Sequence, residues 1–188
     1  VNAETSAAVQ AAHRLLHDLG ADTMEHPGGT LSAHLERVRR RLAAWGARPA
    51  LQLAGLCHAF YGTDGFGPAL LPLGQRDRLQ RLIGADAEAI VYFYASRDRQ
   101  AAYPVLTDPA APLHDRFTGA GRVPTAGERR DFAELTAANE LDIAQVDDAF
   151  RERQGASLLA LFTGFRPLLT PPAWQDCAAV LGATPNGR

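Results

Sequence analysis

The apolar residues of segment 30–45 are Leu31, Leu35, Val38, Leu42 and Trp45. These steps of three and four place them on one face of a helix and on no single face of a strand. Thr30 can cap the start of this segment and Gly46 its end. Helical patterns also cover residues 4–19 (ending at Gly20), 49–61, 75–83, 86–98, 128–146 and, after Pro171 and Pro172, 171–181. "MEHPGG" interrupts the chain between the first two, because Pro27 and two glycines cannot continue a helix. Residues 102–126 are rich in Pro, Gly and Asp and predict a long loop, a kind of segment often tied to function. No period-two strand pattern and no internal repeat is present. The pattern predicts an all-α bundle, and 188 residues suit a single domain over 1–188.

The formal charge is −2, so no positive excess exists to hold a phosphate backbone, and no nucleic-acid partner is expected. The run Arg37, Arg39, Arg40, Arg41 reads as a solvated helix face. All nineteen basic residues are arginine. Without lysine there is no Schiff base to a carbonyl or to pyridoxal phosphate, and no P-loop NTPase. Arginine is left to recognise planar carboxylate and phosphate groups. Cys57 and Cys177 make no disulfide framework, and Cys57 reads as a buried thiol in a reducing compartment. No leader-like segment opens the chain and no apolar run is long enough to span a bilayer. A cytoplasmic protein with a small-molecule substrate and no membrane partner is the expectation.

Two of the six histidines fall on apolar faces. His34 follows Leu31 by three and precedes Val38 by four; His58 follows Leu51 by seven and Ala54 by four. Consecutive helices thus offer two imidazoles to one interior, and bundle cores are a common place for metal sites. A core histidine satisfied by a carbonyl is the architectural alternative.

The order "AHLERV", a break, then "LAGLCH" resembles the HD-domain superfamily of metal-dependent enzymes. The spacing from His34 to His58 is similar to that in the hydrolase domain of (p)ppGpp synthetase/hydrolases. The resemblance covers residues 26–145 in helix order and is specific over 31–64. It implies that a histidine on one helix, a His-Asp pair ending the next and an aspartate on a later helix hold metal. This chain departs from that pattern by having Ala59 where the pair has its aspartate. The family's later "ADRL" aligns with "ANEL", placing Asn139 at the ligand position, with Asp142 one turn on as a substitute. A literal His17-Asp18 pair sits in "LLHDLG", but no histidine-bearing helix precedes it, so it reads as an exposed helix end. "HAFYGTDGF" also resembles a stretch of an uncharacterised bacterial branch of HD-like proteins with the pattern His-small-x-Tyr-Gly-Thr.

His34, His58, His26 and one carboxylate fall short of the roughly six protein ligands of a two-metal centre. A mononuclear set of His34, His58 and Asp142 suits iron, manganese or zinc. The leading expectation is therefore an HD-like, mononuclear metal-dependent hydrolase acting on a small polar or anionic metabolite. His26, Tyr61 and Asp64 would assist catalysis, and Thr63, Arg97 and Arg99 would bind substrate. One alternative is an iron-dependent, oxygen-using enzyme of specialised metabolism on the same ligands. The other is a metal-free binding domain or acid–base catalyst using His34, His58 and Tyr61.

Overall fold

The computed structural model describes residues 3–64 and 67–182. It is all-α. Helix α1 (Ala3–Asp18) leads to a two-residue hairpin, β1 (Glu25–His26) with β2 (Gly29–Thr30), and then to α2 (Leu31–Ala44) and α3 (Pro49–Cys57). After a short 3-10 turn come α4 (Arg76–Ile83), α5 (Ala85–Ala95) and the one-turn α6 (Arg99–Ala102). A second hairpin, β3 (Leu113–His114) with β4 (Gly121–Arg122), precedes α7 (Ala126–Val146), α8 (Asp148–Phe165) and α9 (Pro171–Gly182).

Local chemistry sets the boundaries. Thr30 caps α2 by accepting from the Ala33 amide, and Gly46, at φ +77°, supplies the left-handed residue just past its end. Pro49 opens α3, where its missing N–H costs nothing. Thr125 and Glu128 form a reciprocal capping box at the start of α7. Asp147 ends α7 and caps α8 through the Phe150 amide.

Helix α7 is the centre of the bundle and packs against α2, α3, α5, α8 and α9. It is buried nearly all round, from Phe132 through Leu135, Ala138 and Leu141 to Ala144. A helix surrounded by others shows no single apolar stripe. Helices α2 and α3 cross closely because Gly55 has no side chain: a Cβ there would stand 2.5 Å from Leu42 Cδ1.

Three sequence expectations are adjusted. The sequence expectations include no element between 146 and 171, where the structure forms α8. Its first turns, "DAFRERQ", are charged, and its contacts come from a few apolar residues such as Phe162 and Phe165. The loop expected over 102–126 begins in helical turns and contains the β3–β4 hairpin. "MEHPGG" does interrupt the helices, and it does so as a hairpin. Among the described residues no helix is long and apolar enough to cross a membrane.

Candidate functional site

The first hairpin carries a histidine into the interior. Pro27 and Gly28 form its turn, and Gly28 takes φ +76°, as the position after proline in a type II turn requires. Arg37 fixes the turn from α2, donating from Nη2 to Pro27 O at 3.2 Å and from Nη1 to Gly28 O at 3.3 Å. His26 then stacks on His34, with ring centroids 3.9 Å apart and planes 24° from parallel. His34 lies in the first turn of α2 and His58 is the C-cap residue of α3. Their rings meet edge-on at 5.4 Å, and His58 meets Tyr94 of α5 edge-on at 5.6 Å. Three imidazoles from three chain segments thus form one row.

The row is anchored by α7. His34 Nδ1 donates to Asp142 Oδ2 at 2.7 Å, and Arg37 grips the same carboxylate with Nε at 2.7 Å and Nη2 at 2.9 Å. Burial alone would raise the Asp142 carboxyl, but the hydrogen bonds from His34 and Arg37 outweigh it and hold the pKa below its ordinary value. One turn earlier, Asn139 Nδ2 donates to Glu140 Oε1 at 3.0 Å, which turns Asn139 Oδ1 towards His34 Nε2 at 3.1 Å.

His58 is held differently. Its Nδ1 donates to Gly55 O at 2.8 Å, so Nε2 carries the lone pair. Burial first, and the neighbouring His34 second, lower its pKa to about 3. The same two causes lower His26 to about 4. At neutral pH both rings are uncharged bases.

These groups border a cavity of about 350 Å³ between the first hairpin, the end of α3 and α7. Leu31, Ile143 and Phe150 give it apolar walls; Thr63 and Asn139 add neutral polar groups. Glu25, Glu140 and Asp147 contribute three carboxylates against the single guanidinium of Arg99. Arg99 itself donates to Glu140 Oε1 at 3.0 Å and to the Tyr94 hydroxyl at 2.9 Å. The lining therefore repels anions and favours neutral polar or cationic groups.

The structure brings together His26, His34, His58, Thr63 and Arg99 of the residues expected at the site. It sends the others elsewhere. Asp142 sits behind His34, both oxygens taken by His34 and Arg37, and does not line the cavity. Tyr61 does not line the cavity; its hydroxyl donates to Glu88 Oε1 of α5 at 2.9 Å. Asp64 accepts from the Arg99 backbone amide at 2.9 Å and so positions Arg99 instead of facing the cavity. Arg97, two residues before Arg99, points into a different cavity. His17 pairs with Asp22 at 2.7 Å in solvent. Cys57 is fully buried, and burial pushes its thiol pKa well up, as an inert core cysteine requires.

The donor set His34, His58 and Asp142 does not fit a metal ion, because Asp142 has no free oxygen to give. Among the described residues no group of three or more His, Cys, Asp and Glu side chains is arranged to hold one. The sequence reading missed Glu25, Glu140, Asp147 and Phe150. Glu140 is adjacent to Asn139, whereas Asp147 caps α8 and Phe150 lies in it, a helix with no counterpart among the sequence expectations.

Comparison with known proteins adds one finding. A family model described as a domain of unknown function (DUF6817) matches residues 15–99, from the last turn of α1 to the first residue of α6. The matched segment contains His26, His34, His58, Thr63 and Arg99; Asn139, Glu140 and Asp142 lie outside it. No curated protein and no solved structure matches the chain.

Proposed function

We propose that this chain is an HD-like helical domain whose cavity binds a small neutral polar or cationic metabolite through its row of imidazoles. The observation that carries the reading is the state of His58. Its tautomer is locked by Gly55 O, its pKa is about 3, and Nε2 has no hydrogen-bond partner among the described residues. A neutral imidazole with a fixed, unengaged lone pair beside a cavity is placed to accept a hydrogen bond from a ligand N–H or O–H. Nε2 of His58 accepts a hydrogen bond from an O–H or N–H of the bound ligand. His26, equally uncharged, closes the other end of the row. Thr63 and Asn139 orient polar groups of the ligand, and the carboxylates set its charge. Arg99 keeps Glu140 in place and contributes the one positive group facing the cavity.

A second reading rests on a different contact. When Nδ1 carries the proton of His34, Nε2 and Asn139 Oδ1 are both acceptors, yet they stand 3.1 Å apart. A cation shared by His34, Asn139 and His58, with Asp142 orienting His34 from behind, would bring them together.

Ligand-observed NMR with a panel of polyols, amides, nucleosides, amines, carboxylates and phosphates tests the first reading. The expected hits are neutral or cationic and disappear in His58→Gln. Hits that all survive His58→Gln would overturn it. Elemental analysis of untagged protein tests the second: about one equivalent of iron, manganese or zinc, lost in Asn139→Ala, would move the assignment to a metal site.

A further inference from the structure

A second cavity, of about 330 Å³, lies where α5 meets the β3–β4 hairpin, and shares no lining residue with the first. Its lining includes Arg76, Arg97 and Arg122, over a floor formed by Tyr92 and Phe93. The Arg76 guanidinium lies 3.7 Å from the centre of the Tyr92 ring. Those of Arg97 and Arg122 lie 4.4 and 5.3 Å from the Phe93 ring. Guanidinium stacking on aromatic rings orients the planar donors without consuming their N–H groups.

Arg97 is the anomaly. It is only 3% exposed, and its Nη1 is buried with no hydrogen-bond partner among the described residues. Nε donates to Phe93 O at 3.3 Å and Nη2 to Ser96 Oγ at 2.9 Å, both neutral acceptors. The nearest carboxylate, Asp115, stands 3.9 Å from Nη2, beyond hydrogen-bond reach. Asp115 is already engaged, accepting from the Tyr92 hydroxyl at 2.7 Å and from the Phe117 and Thr118 amides at 2.8 and 3.2 Å. Glu128, the other carboxylate of this cavity, is taken by Arg122 and by the amide and hydroxyl of Thr125. Arg76 is matched by Glu88, with contacts of 2.7 and 2.9 Å. Asp115 supplies Arg97 with a counter-charge at 3.9 Å, but these acceptors are engaged elsewhere and the Arg97 Nη1 donor has no acceptor among the described residues. A buried N–H donor without an acceptor is costly, so the arrangement favours an acceptor oxygen supplied from outside.

We infer that this cavity is an oxyanion site, recognising a phosphate or carboxylate group of a small molecule through Arg97 with Arg122 and Arg76. Arginine in this setting binds such groups through paired N–H donors. The anion-repelling cavity around His58 and the anion-seeking cavity around Arg97 are thus two separate sites.

Isothermal titration calorimetry on the full chain tests this, with inorganic phosphate and succinate as probes and sodium chloride at equal ionic strength as control. Saturable binding of phosphate, of succinate or of both is expected, and which one binds names the group. Affinity should fall about tenfold or more in Arg97→Lys, which keeps the charge and loses the fork, and in Arg122→Gln, whose partly exposed site leaves the fold intact. His58→Gln should bind as the wild type does, which keeps this outcome independent of the first cavity. Failure of both probes to bind above the chloride control would overturn the inference. So would undiminished affinity in folded Arg122→Gln together with folded Arg97→Lys.

Discussion

Acid should unfold this protein partly through His58. The ring is nearly inaccessible and its pKa is lowered from 6.5 to about 3, first by burial and then by His34. The unfolded chain therefore binds a proton that the folded chain refuses. Stability supplied by this ring is complete above the unfolded pKa near 6.5 and is lost as pH falls towards 3. At pH 5 an unfolded imidazole is almost fully protonated and the buried one is not. Linkage puts the loss at about 2 kcal/mol for this one ring between about pH 7.5 and pH 5. That figure depends on the unfolded value and requires only that the folded value lie well below 5. The perturbation is His58→Gln, which removes the titration and can still offer an N–H to Gly55 O. Urea unfolding at both pH values gives the comparison, and the carboxylates common to both proteins cancel in the difference. The wild type should lose about 2 kcal/mol more than the variant on acidification. Losses equal within about half a kcal/mol would refute the argument, because His58 would then accept its proton in the folded state and could not be the neutral acceptor assigned to the cavity.

Three further outcomes follow from packing. Gly55→Ala places a Cβ 2.5 Å from Leu42 Cδ1 and 3.5 Å from Arg39 Cα at the crossing of α2 and α3. It should cost about 1–3 kcal/mol in urea unfolding, and a neutral result would show that the crossing can open freely. Gly28→Ala meets Val146 Cγ2 at 2.6 Å and strains a residue at φ +76°. The hairpin should shift enough to move the His26 ring resonances, and unchanged resonances would mean that the turn does not set the ring. Asp147→Ala removes the cap on the Phe150 amide and should destabilise by about 1 kcal/mol, with a shift of the cavity-facing Phe150 ring seen by NMR.

The bundle was legible because Leu31, Leu35, Val38 and Leu42 repeat at helical spacing, and the structure buries all four. The same reasoning placed His34 and His58 on inward faces, and their rings do meet. It failed where a residue's direction depends on a distant partner. Tyr61 follows His58 by three positions, but Glu88 of α5 takes its hydroxyl and it does not line the cavity. Arg97 and Arg99 are separated by one residue, yet Asp98 caps α6 between them and the chain turns there, sending the two guanidiniums to different cavities. Asp142 looked like a ligand because it is acidic and one turn from Asn139. Arg37, itself required to hold Pro27 and Gly28, claims it first. No local pattern announces such competition between partners.

That competition also sets how α7 serves a cavity in which the residue after His58 is alanine. Ala59 lines the cavity without charge. With Asp142 committed to His34 and Arg37, no carboxylate remains in the ring row to hold a cation between the imidazoles. Glu25, Glu140 and Asp147 stand around the cavity instead. Negative charge thus stands at the rim and not between the rings, where in the proposed function it selects what enters. The imidazoles lie within the segment matched by the family model, whereas Glu140 and Asp147 lie outside it. Replacing both rim carboxylates by amides, Glu140→Gln with Asp147→Asn, should therefore alter which ligands bind while leaving the acid sensitivity of His58 in place. If the double variant instead abolished that sensitivity, the rim and the ring row would be one electrostatic unit, and selection could not be separated from binding at the rings.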